Sequence, residues 1–119
     1  MSDTHIWTAT ISGVEACNAK IDPSSVFYTG PFAPSTRNKI CDLYIRNAGS
    51  REDKIRIRVY EYPKEPKEQV IADLVTDRSV SPGSMVQVSI ELDVPNQPGD
   101  WPLGVKVWCE TQETEPPWR

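Results

Sequence analysis

Apolar and polar residues alternate along most of the chain, and a period of two is typical of half-buried β-strands. Residues 40–46, ICDLYIR, and residues 55–60, IRIRVY, both carry an apolar side chain at every second position. The same alternation returns at residues 85–94 and 103–109. Proline, glycine, asparagine and serine cluster between these runs, as they do in turns. The pattern therefore predicts a chain built mainly of short strands.

Three other segments show the alternation less regularly. Residues 5–11 alternate and predict an additional N-terminal strand, while residues 19–29 predict an edge strand that breaks at Pro23, since proline cannot donate to a ladder. Residues 69–76, QVIADLVT, fit either a strand or a single helical turn, and we prefer the strand.

Roughly seven short strands with turns every 8–12 residues favour an antiparallel β-sheet protein. We therefore predict an all-β fold, an immunoglobulin-like Greek-key sandwich in which residues 1–119 form a single domain. The alternation also predicts its core: Leu43, Ile45, Ile57, Val59, Val88, Ile90, Val105 and Val107.

Charge and hydropathy exclude two classes of partner. The formal net charge of −4 does not suit a nucleic-acid-binding domain, which is usually strongly basic. No stretch approaches the ~20 apolar residues of a membrane span, so direct membrane insertion is not expected. The first residues lack the basic and apolar regions of a secretory signal, which predicts a cytoplasmic protein unless the chain is a fragment of a surface protein.

The three cysteines, Cys17, Cys41 and Cys109, form no CxxC pair, and His5 is the only histidine. A structural zinc site is therefore not expected, and we predict three reduced thiols. A bridge between Cys41 and Cys109 is not expected. The two predicted strands run in the same direction, and Cys41 would lie near the start of one whereas Cys109 would lie near the end of the other. Their separation would be on the order of 20 Å, whereas bridged Cα atoms lie within roughly 7 Å.

The sequence offers no constellation for chemistry. It contains no serine or cysteine with an evident base and no glycine-rich phosphate loop, so no catalytic residue and no cofactor are predicted. Asp93 and Asp100 could contribute to a calcium site, but their stretch supplies too few regularly spaced oxygen ligands. No metal site is expected.

One candidate binding surface follows from the predicted strands. In an immunoglobulin-like sandwich the strands at residues 55–61 and 103–109 are neighbours in one sheet. Their outward side chains would then form a basic and aromatic face that consists of Arg56, Arg58, Tyr60, Lys106 and Trp108. Cation–π contacts would join its members. Such a face on an acidic protein favours an extended acidic peptide or an acidic protein edge as the partner.

The chain contains four short motifs: Ile21-Asp22-Pro23, Gly30-Pro31-Phe32, Arg46-Asn47-Ala48-Gly49 and Val80-Ser81-Pro82-Gly83-Ser84. They resemble motifs of the major sperm protein family and of the related domain of the membrane-anchored VAP proteins. The resemblance implies a seven-stranded sandwich that binds proteins, with a basic sheet face that receives acidic peptides. Glu61 departs from it, since that family places a neutral threonine nearby. Cell-adhesion-related (CARDB) modules are the close alternative.

Two other kinds of function compete with protein binding. A structural subunit, as in a filament or a cell-surface layer, would associate with copies of itself. A carbohydrate-binding module would stack a sugar ring on exposed aromatic side chains, and the best candidate pair is Trp108 with Tyr60 or Tyr44.

Overall fold

The computed structural model of the chain describes residues 2–9, 16–61, 69–111 and 115–118. Its strands are β1 (Ala19–Ile21), β2 (Val26–Phe27), β3 (Arg37–Asn47), β4 (Ile55–Glu61), β5 (Gln69–Val75), β6 (Met85–Asp93) and β7 (Leu103–Cys109). The described residues contain no helix, which confirms the all-β prediction. Accordingly, no helix in this part of the chain has the length and apolar character needed to cross a bilayer.

The strands form two antiparallel sheets. In the first sheet the long strand β3 pairs with β1, β2 and β6, and Leu43 lies opposite Val88. In the second sheet the order is β5-β4-β7, and Ile57 lies opposite Val107. The predicted adjacency of the strands at residues 55–61 and 103–109 is therefore confirmed.

The predictions for the three less regular segments were partly correct. The break at Pro23 is confirmed, because β1 ends before it and β2 begins after it. The strand preferred for residues 69–76 is also confirmed, as β5. The N-terminal strand is wrong for residues 5–9, which form no strand and are exposed, while residues 10 and 11 lie outside the described part.

One hydrophobic core takes side chains from both sheets. The first sheet contributes Leu43, Ile45 and Ile90, and the second contributes Ile57 and Val59. These five predicted core residues are buried, whereas the other three, Val88, Val105 and Val107, are partly buried and pack against the cluster. Each fully buried aliphatic side chain stabilises the fold by roughly 1.5–3 kcal/mol. Alternation predicted these positions because β3, β4, β6 and β7 each have one face in this core.

A disulfide joins Cys17 to Cys109, with 6.1 Å between their Cα atoms. The expectation of three reduced thiols is wrong for these two, because the segment before β1 brings Cys17 to the end of β7. Cys41 is free and buried, so the rejection of a Cys41–Cys109 bridge is confirmed.

Asn47 ties several loops together at the same end of the molecule. Its fully buried side chain donates to the carbonyl oxygens of Arg51 and Val80, and accepts hydrogen bonds from the backbone of Asn18 and Gly49. A Cβ atom at Gly49 would lie 2.0 Å from the carbonyl oxygen of Ala16. Glycine is therefore required there, since only glycine lets the two backbones approach so closely.

Candidate functional site

The five residues predicted to form the basic and aromatic face lie together in the structure. Strands β4 and β7 are antiparallel neighbours, and their register sets Arg56 opposite Trp108 and Arg58 opposite Lys106. Tyr60 follows two positions after Arg58, so its side chain falls on the same side of the sheet. The strand pattern alone was sufficient to group these residues.

The predicted cation–π contacts also occur. The guanidinium carbon of Arg58 lies 5.1 Å from the centre of the Trp108 ring, and that of Arg56 lies 5.8 Å from it. Both distances are within the range of about 6 Å over which a cation is attracted to an aromatic face. Trp108 therefore lies against two guanidinium groups.

The expectation that the whole face is exposed is wrong. Tyr60, Lys106 and Trp108 retain only 3%, 8% and 5% of their accessible surface. The cause is a segment outside the strand pattern, Glu115–Trp118, whose first and last side chains contact the face. The two arginine side chains keep more exposure than these three residues.

Glu115 is the centre of this contact. One carboxylate oxygen accepts a hydrogen bond from Lys106 Nζ at 2.8 Å, and the other accepts one from Arg58 Nη1 at 2.8 Å. The hydroxyl group of Tyr60 also donates to this carboxylate. Three donors from two strands thus converge on one carboxylate, and two of them are cationic, which makes the hydrogen bonds strong.

Trp118 completes a cage around Lys106. The ammonium nitrogen of Lys106 lies 4.5 Å from the centre of the Trp118 ring and 5.3 Å from that of Tyr60. The two rings themselves meet edge to face at 5.3 Å. A lysine between two aromatic rings and one carboxylate can tolerate burial, because each contact offsets part of its lost hydration.

A second carboxylate, that of Asp73 on the neighbouring strand β5, pairs with the two arginine side chains of the face. It pairs with Arg56 at 3.3 Å and with Arg58 at 3.0 Å. The three cations of the face are therefore matched by Asp73 and Glu115, which leaves a small local excess of positive charge. Glu115 and Trp118 carried no strand signal, since they belong to a short terminal segment without periodicity.

The contacts also shift two pKa values. Burial alone would raise the pKa of Glu115, but hydrogen bonds from Lys106 and Tyr60 outweigh it and lower that pKa. Burial, and secondarily the hydrogen bond to Glu115, raises the pKa of Tyr60. The carboxylate therefore stays ionised and the phenol stays protonated at neutral pH. The face thus holds one ionised carboxylate, that of Glu115, between three donors.

We expect Glu115→Gln to lower the free energy of unfolding at pH 7 by about 1–3 kcal/mol, because Lys106 loses a charged acceptor while remaining buried. The folded-state pKa of Glu115 lies below its unfolded value. Its stabilisation is therefore present above about pH 4.3 and is lost as the pH falls through the folded-state pKa. Urea unfolding at a series of pH values measures this dependence.

The control for this experiment is Glu110→Gln, since Glu110 is exposed and forms no ion pair within the described residues. It should change the stability little at any pH. If Glu115→Gln destabilises the protein equally at neutral and at strongly acidic pH, the carboxylate contact is not the cause.

One group of potential metal ligands occurs among the described residues: Cys17, Asp53 and Cys109. Its two sulfur atoms are joined in the disulfide. The Asp53 carboxylate accepts hydrogen bonds from the backbone and hydroxyl of Thr111 and from the backbone of Lys54. Asp93, considered for calcium, pairs with Arg37 at 3.2 Å. These donor atoms already have protein partners.

Comparisons with family models, with curated proteins and with solved structures find no match to this chain. The motifs shared with the major sperm protein family therefore remain a sequence resemblance. No partner or activity can be carried over from a relative, and the geometry of the basic and aromatic face is the basis for a functional proposal.

Proposed function

We propose that this protein is a non-catalytic interaction module whose basic and aromatic face receives an extended acidic segment of a partner protein. One observation carries the proposal: the Glu115 carboxylate accepts hydrogen bonds from Arg58, Tyr60 and Lys106. The chain's own segment supports the proposal as an example of such a ligand, and it occupies the proposed binding position.

The occupying segment defines the ligand chemistry. It consists of Glu115, two prolines and Trp118, and proline restricts the backbone to extended conformations. The carboxylate engages the cations, and the aromatic ring three residues later packs on Lys106. A partner segment with an acidic residue followed by an extended stretch and an aromatic residue would reproduce both contacts. On a protein of net charge −4, this local excess of cations would also orient an acidic ligand.

The architecture proposed for this module is an immunoglobulin-like Greek-key sandwich. A single core cluster drawn from both sheets supports it. The chain also crosses between the sheets from β3 to β4, from β5 to β6 and from β6 to β7. These are the crossings expected of such a sandwich. The motifs that resemble the major sperm protein family point in the same direction.

The test uses a variant whose own segment can no longer occupy the face, Glu115→Ala combined with Trp118→Ala. A labelled peptide with the sequence of residues 111–119, TQETEPPWR, is titrated against this variant and against the wild type, and fluorescence anisotropy is followed. We expect the variant to bind at least about ten-fold more tightly, because the wild-type face is occupied in cis. Binding should weaken as the salt concentration rises.

Matched controls identify the site. Adding Arg58→Gln and Lys106→Gln to the open variant should abolish binding, and circular dichroism verifies that the sheets remain. Neutral replacements are preferable to glutamate, which would lie beside Asp73. If the folded open variant does not bind the peptide, or if the glutamine variants bind it equally well, the proposed function is wrong.

The geometry does not favour carbohydrate binding at the ring pairs considered for it. The ring pair considered for it, Trp108 with Tyr60, is buried and in contact with charged groups. Tyr44 lies on β3 of the other sheet, so it cannot form a platform with Trp108 on β7. Self-association, the other alternative, is favoured by a different part of the chain.

A further inference from the structure

The two sheets are joined along one side of the molecule and separated along the other. On the joined side β1 lies close to β7, the disulfide from Cys17 ends at Cys109, and Trp118 lines the pocket between these strands. On the other side, within the described part of the chain, β5 pairs only with β4 and β6 pairs only with β3. The edges of β5 and β6 are therefore the two strand edges that remain open.

An open cleft of about 770 Å³ lies between these two edges. Its apolar lining includes Leu74 on β5 and Val86 and Val88 on β6. Leu74 lies opposite Ile57 in the register, so its side chain points toward the core, yet it remains 39% exposed. Val86 and Val88 also pack against the core and are only partly buried. The inner faces of both strands thus continue to the open side, where a further strand would cover them.

The edge of β6 offers backbone groups for such a strand. Asn47 donates its backbone N–H to the carbonyl oxygen of Ser84, and hydrogen-bonded pairs alternate with non-bonded pairs along an antiparallel ladder. The N–H and C=O groups of Met85, Gln87 and Ser89 therefore point away from β3, toward the open edge. Among the described residues these groups have no hydrogen-bond partner.

The two open edges differ in their protection against pairing. Natural edge strands usually carry a charge, a proline or a bulge that discourages pairing with another chain. β5 carries Asp73, and its register shifts beside Val59, where Ile71 has no opposite residue. From Met85 to Ile90, β6 has no charged residue, proline or glycine. Pairing with an added strand is therefore favoured at β6.

The charges at the two ends of β6 indicate what the added strand is. Near its first residues, Arg46 and Lys20 on the same sheet outnumber Asp22, and Arg46 reaches across β6 to the carbonyl oxygen of Gly83 at 3.3 Å. Near its last residues, three carboxylates pair with two cations; the group consists of Asp42, Glu91, Asp93, Arg37 and Lys39. One end thus has an excess of positive charge and the other an excess of negative charge, so an antiparallel copy of the same edge brings opposite charges together.

We propose that β6 pairs with β6 of a second copy, antiparallel and about a two-fold axis at Gln87. In this register Met85 lies opposite Ser89 of the second copy, and Val86 lies opposite Val88. Each residue meets one from the same side of its strand, so the apolar side chains of both copies stay on the inner face. The uncharged stretch of β6 pairs with itself.

The same register accounts for the remaining features of the edge. Glu91 lies opposite Gly83 of the second copy, which is the residue that Arg46 reaches. The inward valines of one copy extend the first sheet over the exposed side of Leu74 in the other. Both copies use the same surface, and such a contact closes as a dimer without forming filaments.

Sedimentation of the full chain over a wide concentration range tests the association. The wild type should form dimers, and Gln87→Lys should raise their dissociation constant by about ten-fold or more, because two ammonium groups would meet on the axis. Gln69→Lys is the matched control, since Gln69 is also an exposed glutamine of an open edge strand, β5. A monomeric wild type, or a dimer that both variants weaken equally or that Gln87→Lys leaves unchanged, would overturn the proposal.

A cross-link tests the register. Gln87→Cys places two thiols on the axis, with their Cα atoms about 5.5 Å apart, a separation that a disulfide bridges. Cys41 is buried and the other two cysteines are already bridged, so the introduced thiol is the accessible one. Mild oxidation should give a covalent dimer of Gln87→Cys on non-reducing electrophoresis and little of one with Gln69→Cys. Equal cross-linking of the two variants would refute pairing at Gln87. Neither experiment involves the face occupied by Glu115, so this proposal and the proposed function can fail separately.

Discussion

Removal of the Cys17–Cys109 disulfide is expected to lower the free energy of unfolding by about 4–5 kcal/mol. The bridge closes a loop with a sequence separation of 92 residues, so it restricts a large part of the unfolded chain. It also fixes the segment before β1, whose backbone lies against Gly49 and accepts hydrogen bonds from Ser50 and Arg51. Loss of that anchor would loosen the loops at this end. Since natural domains have stabilities of about 5–15 kcal/mol, the effect is a large fraction of the total.

The measurement compares urea unfolding of the wild type, with and without reductant, against the double variant Cys17→Ser, Cys109→Ser. Reductant should destabilise the wild type and leave the double variant unchanged, although both contain Cys41. Thiol titration of the unfolded, unreduced protein should find one thiol per chain. In the folded protein Cys41 should not react, because burial, together with the charge of Asp42, raises the pKa of its thiol to about 11. Three thiols without reductant would contradict the bridge.

The strand pattern predicted the sheets because their inner faces share one core, as the burial of Leu43, Ile45, Ile57 and Val59 shows. It failed at residues 5–9, where the alternation is present but the described residues form no strand. Periodicity reports which face of a segment is apolar. It does not report whether a partner strand is available.

The strand pattern predicted which residues of the two strands form the basic and aromatic face, but it did not predict what contacts them. Arg56, Arg58 and Lys106 could be grouped because β4 and β7 are adjacent and side chains alternate across a sheet. The partners of this group, Glu115 and Trp118, follow from the path of a short segment after β7. No local pattern determines that path. The bridge to Cys17 was missed for a related reason, since Cys17 precedes β1 and belongs to no alternating run.

Asn47→Ala should lower the free energy of unfolding by about 3–5 kcal/mol, since removal of this buried amide leaves four backbone groups without their partners. The carbonyl oxygens of Arg51 and Val80 lose a donor, and the backbone nitrogen atoms of Asn18 and Gly49 lose an acceptor. In the sequence Asn47 looked like an ordinary turn residue at the end of an alternating strand. The structure gives it the role of a cross-link between three loops.

Urea unfolding of Asn47→Ala beside Asn96→Ala separates this role from a general effect of asparagine loss. Asn96 is exposed, and its side chain accepts a hydrogen bond only from the Ser35 hydroxyl among the described contacts. Its replacement should therefore change the stability by no more than about 0.5 kcal/mol. In Asn47→Ala, the amide protons of Asn18 and Gly49 should also exchange faster, because their acceptor is absent and water must reach them. Equal stability of the two variants would mean that the loops joined by Asn47 are held by the disulfide and by backbone hydrogen bonds alone.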